Sequence, residues 1–268
     1  MIPLWARAEE NRKKTPRLED QYACEFIQRL DYDFSKFRFA RSSQLLCIER
    51  TILFDRQLRD HLLHYRNSVV VELGVGLDTR YARFKEEGLG NCLWFEIDFP
   101  DTMAVREQLF PLQGGERRLA GSFLSDAWID EVKGAVANSG KKAMPIFLAE
   151  GVFMYCTEKE IRHFFTMTVS RFNKAVFIFD TISPAMVFLQ NFHDSLKFTG
   201  AKFRWGLNKV DRLLTWNRSF SIAEVHNPFE DLSFRKQFSR PIQFLLLKPF
   251  QTRSHYKIIR LCGGGNIS

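Results

Sequence analysis

The chain is expected to fold as an α/β domain with a doubly wound, mostly parallel, seven-stranded sheet. An N-terminal helical cap should precede the sheet, and a cover insertion should interrupt it. Three observations predict this. Strand-like and helix-like runs alternate from about residue 68 to 180, the rhythm of right-handed crossovers between parallel strands. One apolar run, Val69-Val70-Val71-Glu72-Leu73, ends in Gly74-Val75-Gly76, a sharp strand-to-helix turn. With 268 residues, 45% of them apolar, the chain suits one large core.

The elements follow in order. Residues 1–18 are polar and basic and read as a loose arm. Residues 19–34 and about 42–65 read as helices, the second with Leu45, Leu46, Ile52, Leu53, Leu58 and Leu62 near helical spacing. His61 and His64 on that helix are expected on its solvated face. Strands are expected at 68–73, 92–97, 117–121, 145–149 and 174–180. Helices fall between them at 78–87, 101–110, 125–138 and 158–171. Thr157 and Glu160 have the spacing of a capping box. After Asp180 the rhythm changes. Residues 183–210, with Phe188, Phe192, Phe198, Phe203 and Trp205, read as an insertion. A strand near 219–226, a helix near 239–249 and a strand near 256–262 complete the set, and Gly263-Gly264-Gly265 reads as a flexible tail. The divisions are a cap at 1–66, a ligand-binding core at 67–182, a cover at 183–218 and C-terminal strands and helix at 219–268, all in one domain.

Composition excludes several classes. No run of 18 apolar residues suggests a membrane span, and Met1–Lys14 lacks a signal layout. The five cysteines show no zinc spacing and are an odd number, so free thiols in a reducing cytoplasm are expected. The net charge of +8 is dispersed, without the basic stripe that nucleic acid requires. The six histidines have no metal spacing, and no nucleophile elbow or zinc-protease helix is present. The expected partner is a small molecule, and the expected state is a monomer or homodimer.

Candidate site residues lie where strands end, because ligands of doubly wound sheets bind there. Gly74 and Gly76 would let a ligand approach the main chain. Position 79 is Thr, where a dinucleotide fingerprint wants a third glycine. Glu72 in front of the glycines suits a cationic ligand, and S-adenosylmethionine is a cationic nucleoside. The alternative is a tight turn with no ligand. Asp98, 24 residues after Gly74, is placed to accept hydrogen bonds from a ribose; its alternative is a helix cap before Pro100. Glu96 is a lesser candidate for the same role. Ser122-Phe123 offers an adenine a hydroxyl and a ring. Glu150, followed by Gly151 and an aromatic patch to Tyr155, could face the sulfonium or amino group, or else pair with a buried arginine.

Taken together, Glu72-Leu73-Gly74-Val75-Gly76-Leu77-Asp78-Thr79-Arg80, Trp94-Phe95-Glu96-Ile97-Asp98-Phe99-Pro100 and Leu148-Ala149-Glu150-Gly151-Val152-Phe153-Met154-Tyr155 resemble the leucine carboxyl methyltransferase family. The chain is most similar to its bacterial branch of polyketide O-methyltransferases, of the tetracenomycin type, whose Phe-Arg-Trp-Gly-Leu string it carries at 203–207. The resemblance runs from about Phe37 to the last strand. It implies a Rossmann-like fold of the class I methyltransferases with S-adenosylmethionine as cofactor. It also implies that the arginine holding the cofactor carboxylate is Arg41, that Gly74 is the first motif glycine, Asp98 the ribose acid and Glu150 the post-strand acid. Ser122 stands where the family often has Asp, which weakens the adenine contact.

Methyl transfer to a carboxylate needs no general base, since the acceptor is already ionised. That agrees with a sequence without a convincing base; a phenol would have only Tyr155 or His193. Tyr155 and Arg204 are candidates for orienting substrate, and Arg80, Arg83 or Lys202 would do so unless they pair with core acids. The rival functions are methylation of a protein C-terminal carboxyl, a catalytically silent cofactor-binding module and an NAD-dependent oxidoreductase.

Overall fold

A computed structural model describes residues 1–65, 67–90, 92–140, 143–194, 196–228 and 255–264. The helix expected near 239–249 lies outside the described residues. Five parallel strands form the centre: β1 (Val69–Leu73), β2 (Leu93–Asp98), β3 (Glu116–Ala120), β4 (Pro145–Ala149) and β5 (Lys174–Ile182). β6 (Ser221–His226) and β7 (Tyr256–Gly264) follow. The sheet order is β3-β2-β1-β4-β5-β7-β6. β7 runs antiparallel between β5 and β6. β1 and β4 are wholly buried, which is why they read as unbroken apolar runs rather than alternating ones. The order reverses between β1 and β4, so their carboxyl ends open a crevice.

The helices are α1 (Ile2–Asn11), α2 (Gln21–Arg29), α3 (Arg41–His64), α4 (Arg80–Glu86), α5 (Pro100–Leu109), α6 (Ile129–Asn138), α7 (Glu158–Arg171) and α8 (Pro184–Phe188). One core face gathers phenylalanines between the sheet and α6 and α7, with Phe147 stacked on Phe177 at 5.2 Å. The other packs α3 and α4 on the sheet through Leu53, Phe54, Leu58 and Trp94. The Thr157–Glu160 capping box forms as expected. Among the described residues, no helix is long and apolar enough to cross a membrane.

Three expectations are corrected. Residues 2–11 are not a loose arm but α1, with Leu4, Trp5, Ala6, Arg7, Ala8 and Glu10 buried. Its charges misled because they are paired: Arg7 Nε donates to Asp20 at 2.7 Å, and Glu10 accepts from the Arg17 amide at 3.0 Å. His61 is not solvated: its Nε2 lies 2.9 Å from Ser68 Oγ in the interior, while His64 is exposed. Gly263 and Gly264 are not a tail but paired residues of β7, opposite Ala175 and Lys174. A Cβ at Gly263 would come within 3.1 Å of Phe220 and Val169, so small size, not flexibility, explains that glycine.

Candidate functional site

A cleft of about 230 Å³ opens at the carboxyl ends of β1 and β4. One half is made by the turn Gly74–Asp78, by Glu150-Gly151 and by Arg7 of α1. The turn is set by two glycines at positive φ, +62° at Gly74 and +55° at Gly76. A Cβ at Gly74 would approach Val152 Cγ2 to 2.8 Å, whereas one at Gly76 would meet nothing within 4 Å. So Gly74 is needed for packing against the loop after β4, and Gly76 leaves open space. Asp98 Oδ2 accepts a hydrogen bond from the Gly76 amide at 2.7 Å, and its Oδ1 accepts from Phe99 N.

Beneath this half lies a buried charge cluster. Arg80, 1% exposed, reaches Asp55 and Glu72 at 2.6 Å each, Asp78 at 3.1 Å, and Glu150. Arg83 pairs with Asp55. Arg50 reaches Glu150 at 3.0 Å and Asp180 at 3.4 Å. Five carboxylates therefore face three guanidiniums. Burial pushes Glu72 up to about 7 against the pull of Arg80. Burial also works to raise Asp78, but Arg80, Arg7 and Arg83 override it and hold that carboxyl well below the usual range.

The other half of the cleft is apolar and aromatic. Met186, Leu196 and Phe203 come from the cover, with Ile182 from β5 and Tyr155 and Tyr256 beside them. The cover is fixed at several points, among them Leu207 N donating to Ile182 O at 2.7 Å. Arg204 N donates to Met154 O at 2.8 Å. Asp194 accepts from Ser43 N at 3.2 Å and from Ser43 Oγ, supplying a cap to α3, whose own N-cap, Ala40, has no side-chain acceptor. His193 lines the cleft with Nδ1 at 3.6 Å from Asp194. Burial lowers its pKa, which favours the neutral ring. Burial raises Tyr155 to about 12, and Tyr256 donates its hydroxyl to Asp180.

The predicted site residues divide accordingly. Gly74, Gly76, Glu150 and Tyr155 line the cleft, although both Glu150 oxygens also accept, from Arg50, Thr51 and Arg80, as its alternative reading expects; Asp98 braces the glycine turn. Glu72 lies below it, its oxygens taken by Arg80 and by Trp94 Nε1 at 2.9 Å. Glu96 is likewise occupied, by Arg106 and Arg118. Ser122 and Phe123 stand off the cleft wall: Ser122 Oγ accepts from Leu124 N, and Phe123 packs on Phe164 at 5.7 Å. Arg41 is exposed at the start of α3, bonded to Gln44 at 2.6 Å. Arg204 is about half exposed, 3.6 Å from Glu160. Arg80 and Arg83 pair with core acids and do not line the cleft. Sequence reasoning missed Arg7 and Arg50, which do line it. Arg50 has a signal in hindsight, a cation among apolar helix positions; Arg7 has none without knowing that α1 is buried.

The chain resembles several known proteins. It is 28% identical over 207 residues to the tetracenomycin polyketide synthesis O-methyltransferase TcmP of Streptomyces glaucescens, covering 77% of this chain and 73% of that protein. It is 26% identical over 235 residues to the S-adenosyl-L-methionine-dependent methyltransferase dpfgK of Gibberella zeae, covering 80% and 76%. Among solved structures, a DUF574 family protein from Streptomyces avermitilis superposes with a TM-score of 0.59 at 6% identity, covering 98% of this chain and 96% of the other. That likeness establishes the fold alone. Residues 1–169 match the family model described as leucine carboxyl methyltransferase. Since that match spans well over half of the 268 residues, the chain belongs to the leucine carboxyl methyltransferase family.

Proposed function

We propose that the protein is an S-adenosylmethionine-dependent O-methyltransferase acting on a small acidic or aromatic metabolite. The observation that carries this reading is the surplus of buried carboxylates under the glycine turn: Asp55, Glu72, Asp78, Glu150 and Asp180 against Arg50, Arg80 and Arg83. Buried charge is costly unless compensated; Glu72, pushed up to about 7, sheds part of the excess by protonation, and a cationic nucleoside compensates the remainder. The open space at Gly76 also fits close approach of a nucleoside to the main chain. Asp98 then holds the ribose, Glu150 faces the positive end, and Arg7 is the cation on this wall available for a carboxylate. Arg41, bonded through Nη1 to Gln44, stands outside this wall.

S-adenosylmethionine supplies a methyl group on a sulfonium: the acceptor oxygen forms the new O–C bond while the S–C bond breaks, its electron pair staying on sulfur. The chain's own task is to align the acceptor and exclude water. The apolar walls from the cover exclude water. Arg50 lines the cleft, and as a permanently charged, forked donor it would be shared between Glu150, Asp180 and an acceptor carboxylate. That acceptor needs no base, which matches a cleft where Tyr155 is pushed up to about 12 and Tyr256 donates into Asp180.

A hydroxyl acceptor is the second reading. It is favoured by one observation, a cleft-lining His193 kept neutral by burial beside Asp194, able to take the phenol proton. Two measurements separate the readings. Calorimetry should give S-adenosylhomocysteine a micromolar dissociation constant, about −8 kcal/mol at 1 μM; binding of NAD instead would reverse the assignment. A screen with labelled methyl donor, repeated with His193→Ala, should leave turnover of carboxylates intact and abolish that of phenols.

A further inference from the structure

Three consecutive carbonyls of the glycine turn are held by two buried arginines, one from α1 and one from α5. Arg7 Nη2 donates to Leu77 O at 2.7 Å. Arg106 Nη1, from α5, donates to Asp78 O at 2.5 Å and to Gly76 O at 3.3 Å. Arg106 is 0% exposed. Its other nitrogens grip Glu96 of β2, Nε at 2.7 Å and Nη2 closer still. Glu96 also accepts from Arg118 Nε at 3.0 Å. Arg118 shares the carboxylate but has no contact with the turn among its hydrogen bonds.

A trans peptide holds C=O and N–H on opposite sides of one plane. Drawing Gly76 O and Asp78 O toward α5 therefore turns the Leu77 and Thr79 amides away from it. The Gly76 amide is meanwhile tied to Asp98, so the peptides on both sides of Gly76 are anchored to β2, one through Asp98 and one through Arg106 and Glu96. A guanidinium can do this because its donors form a rigid fork; a lysine ammonium cannot reach a carboxylate and two carbonyls in the same fixed geometry.

We propose that Arg106 is a positioning residue for the methyl-donor loop, fixing the peptide planes of Gly76–Asp78 and thereby the affinity for the nucleoside. This rests on the donor reading given above. Arg106 touches no ligand in this scheme, and Arg118 provides the internal control, since it shares the same buried carboxylate without the loop contacts.

The test uses the full chain with Arg106→Lys, Arg118→Met and, if the lysine variant fails to fold, Arg106→Met, in which Glu96 keeps Arg118 as its partner. Calorimetry with S-adenosylhomocysteine should show at least tenfold weaker binding for either Arg106 variant and a change within twofold for Arg118→Met. Amide hydrogen exchange of residues 74–79 without ligand should speed up in the Arg106 variants only. Equal losses of affinity in the Arg106 and Arg118 variants, or unchanged exchange in 74–79 after loss of Arg106, overturns the proposal. Failure of the unaltered protein to bind S-adenosylhomocysteine would sink the donor reading instead, and the exchange measurement would still decide the role of Arg106.

Discussion

The carboxylate of Asp98 holds the amide of Gly76 at 2.7 Å, so the end of β2 and the glycine turn form one unit. Asp98→Ala should remove both a ribose acceptor and this brace. We expect S-adenosylhomocysteine to bind at least tenfold more weakly, about 1.4 kcal/mol. Asp98→Asn, which keeps an oxygen for the Gly76 amide, should lose less. Calorimetry giving an unchanged dissociation constant for Asp98→Ala would exclude the ribose role.

Gly74→Ala should harm folding as well as binding. The new Cβ would sit 2.8 Å from Val152 Cγ2, in a backbone with φ of +62°. A non-glycine residue in such a conformation costs about 1–3 kcal/mol. Chemical denaturation should show this loss. Adding Val152→Ala should recover the steric part only, leaving a deficit from the backbone. Full recovery would mean that φ carries no cost here.

Arg80→Met should be among the most damaging single changes. It strips the shared partner from Asp55, Glu72, Asp78 and Glu150. Breaking a buried ion pair costs about 3–5 kcal/mol. Arg80→Lys should recover little, because one ammonium cannot span four carboxylates on four segments. Urea unfolding measures the difference, and a loss under 1 kcal/mol, on the order of a surface pair, would show that the cluster relaxes freely.

His61 should make the fold acid-sensitive. Burial, then Arg260 and His64, lower its pKa to about 3. In the unfolded chain a histidine titrates near 6.5. Between these values the unfolded state holds the extra proton, so stability is full above about 6.5 and falls as pH drops toward 3. At pH 4.5 this group alone should cost about 2–3 kcal/mol. His61→Gln should lose less stability than the parent between pH 7 and 4.5; parallel slopes in urea titrations would contradict the assignment.

The parallel core was legible because its strands announce themselves chemically. Val69–Leu73 and Pro145–Ala149 are buried on both faces and so are apolar throughout. The glycine turn was legible because a positive φ restricts the residue type. What hid were groups whose meaning depends on a distant partner. Arg7 and Glu10 look like solvent residues until Asp20 and Arg17 are set beside them. Glu72 and Glu96 look like ligand contacts until Arg80, Trp94 and Arg106 occupy their oxygens. Asp194 capping a helix 151 positions earlier in the chain has no local trace. Pairing across the fold is a property of three dimensions, and composition carries only its polarity.

The family match stops at residue 169, just before β5. The cleft wall facing away from the glycine turn takes Ile182, Met186, His193, Leu196, Phe203 and Tyr256 from beyond that point. The two walls of the cleft are thus drawn from different parts of one chain. The later part is tied back through the cover's backbone anchors at Met154 and Ile182. Relatives that share the first part can be expected to differ in what they methylate, and grafting residues 183–210 between them is a direct way to exchange appetites while the donor side stays as it was.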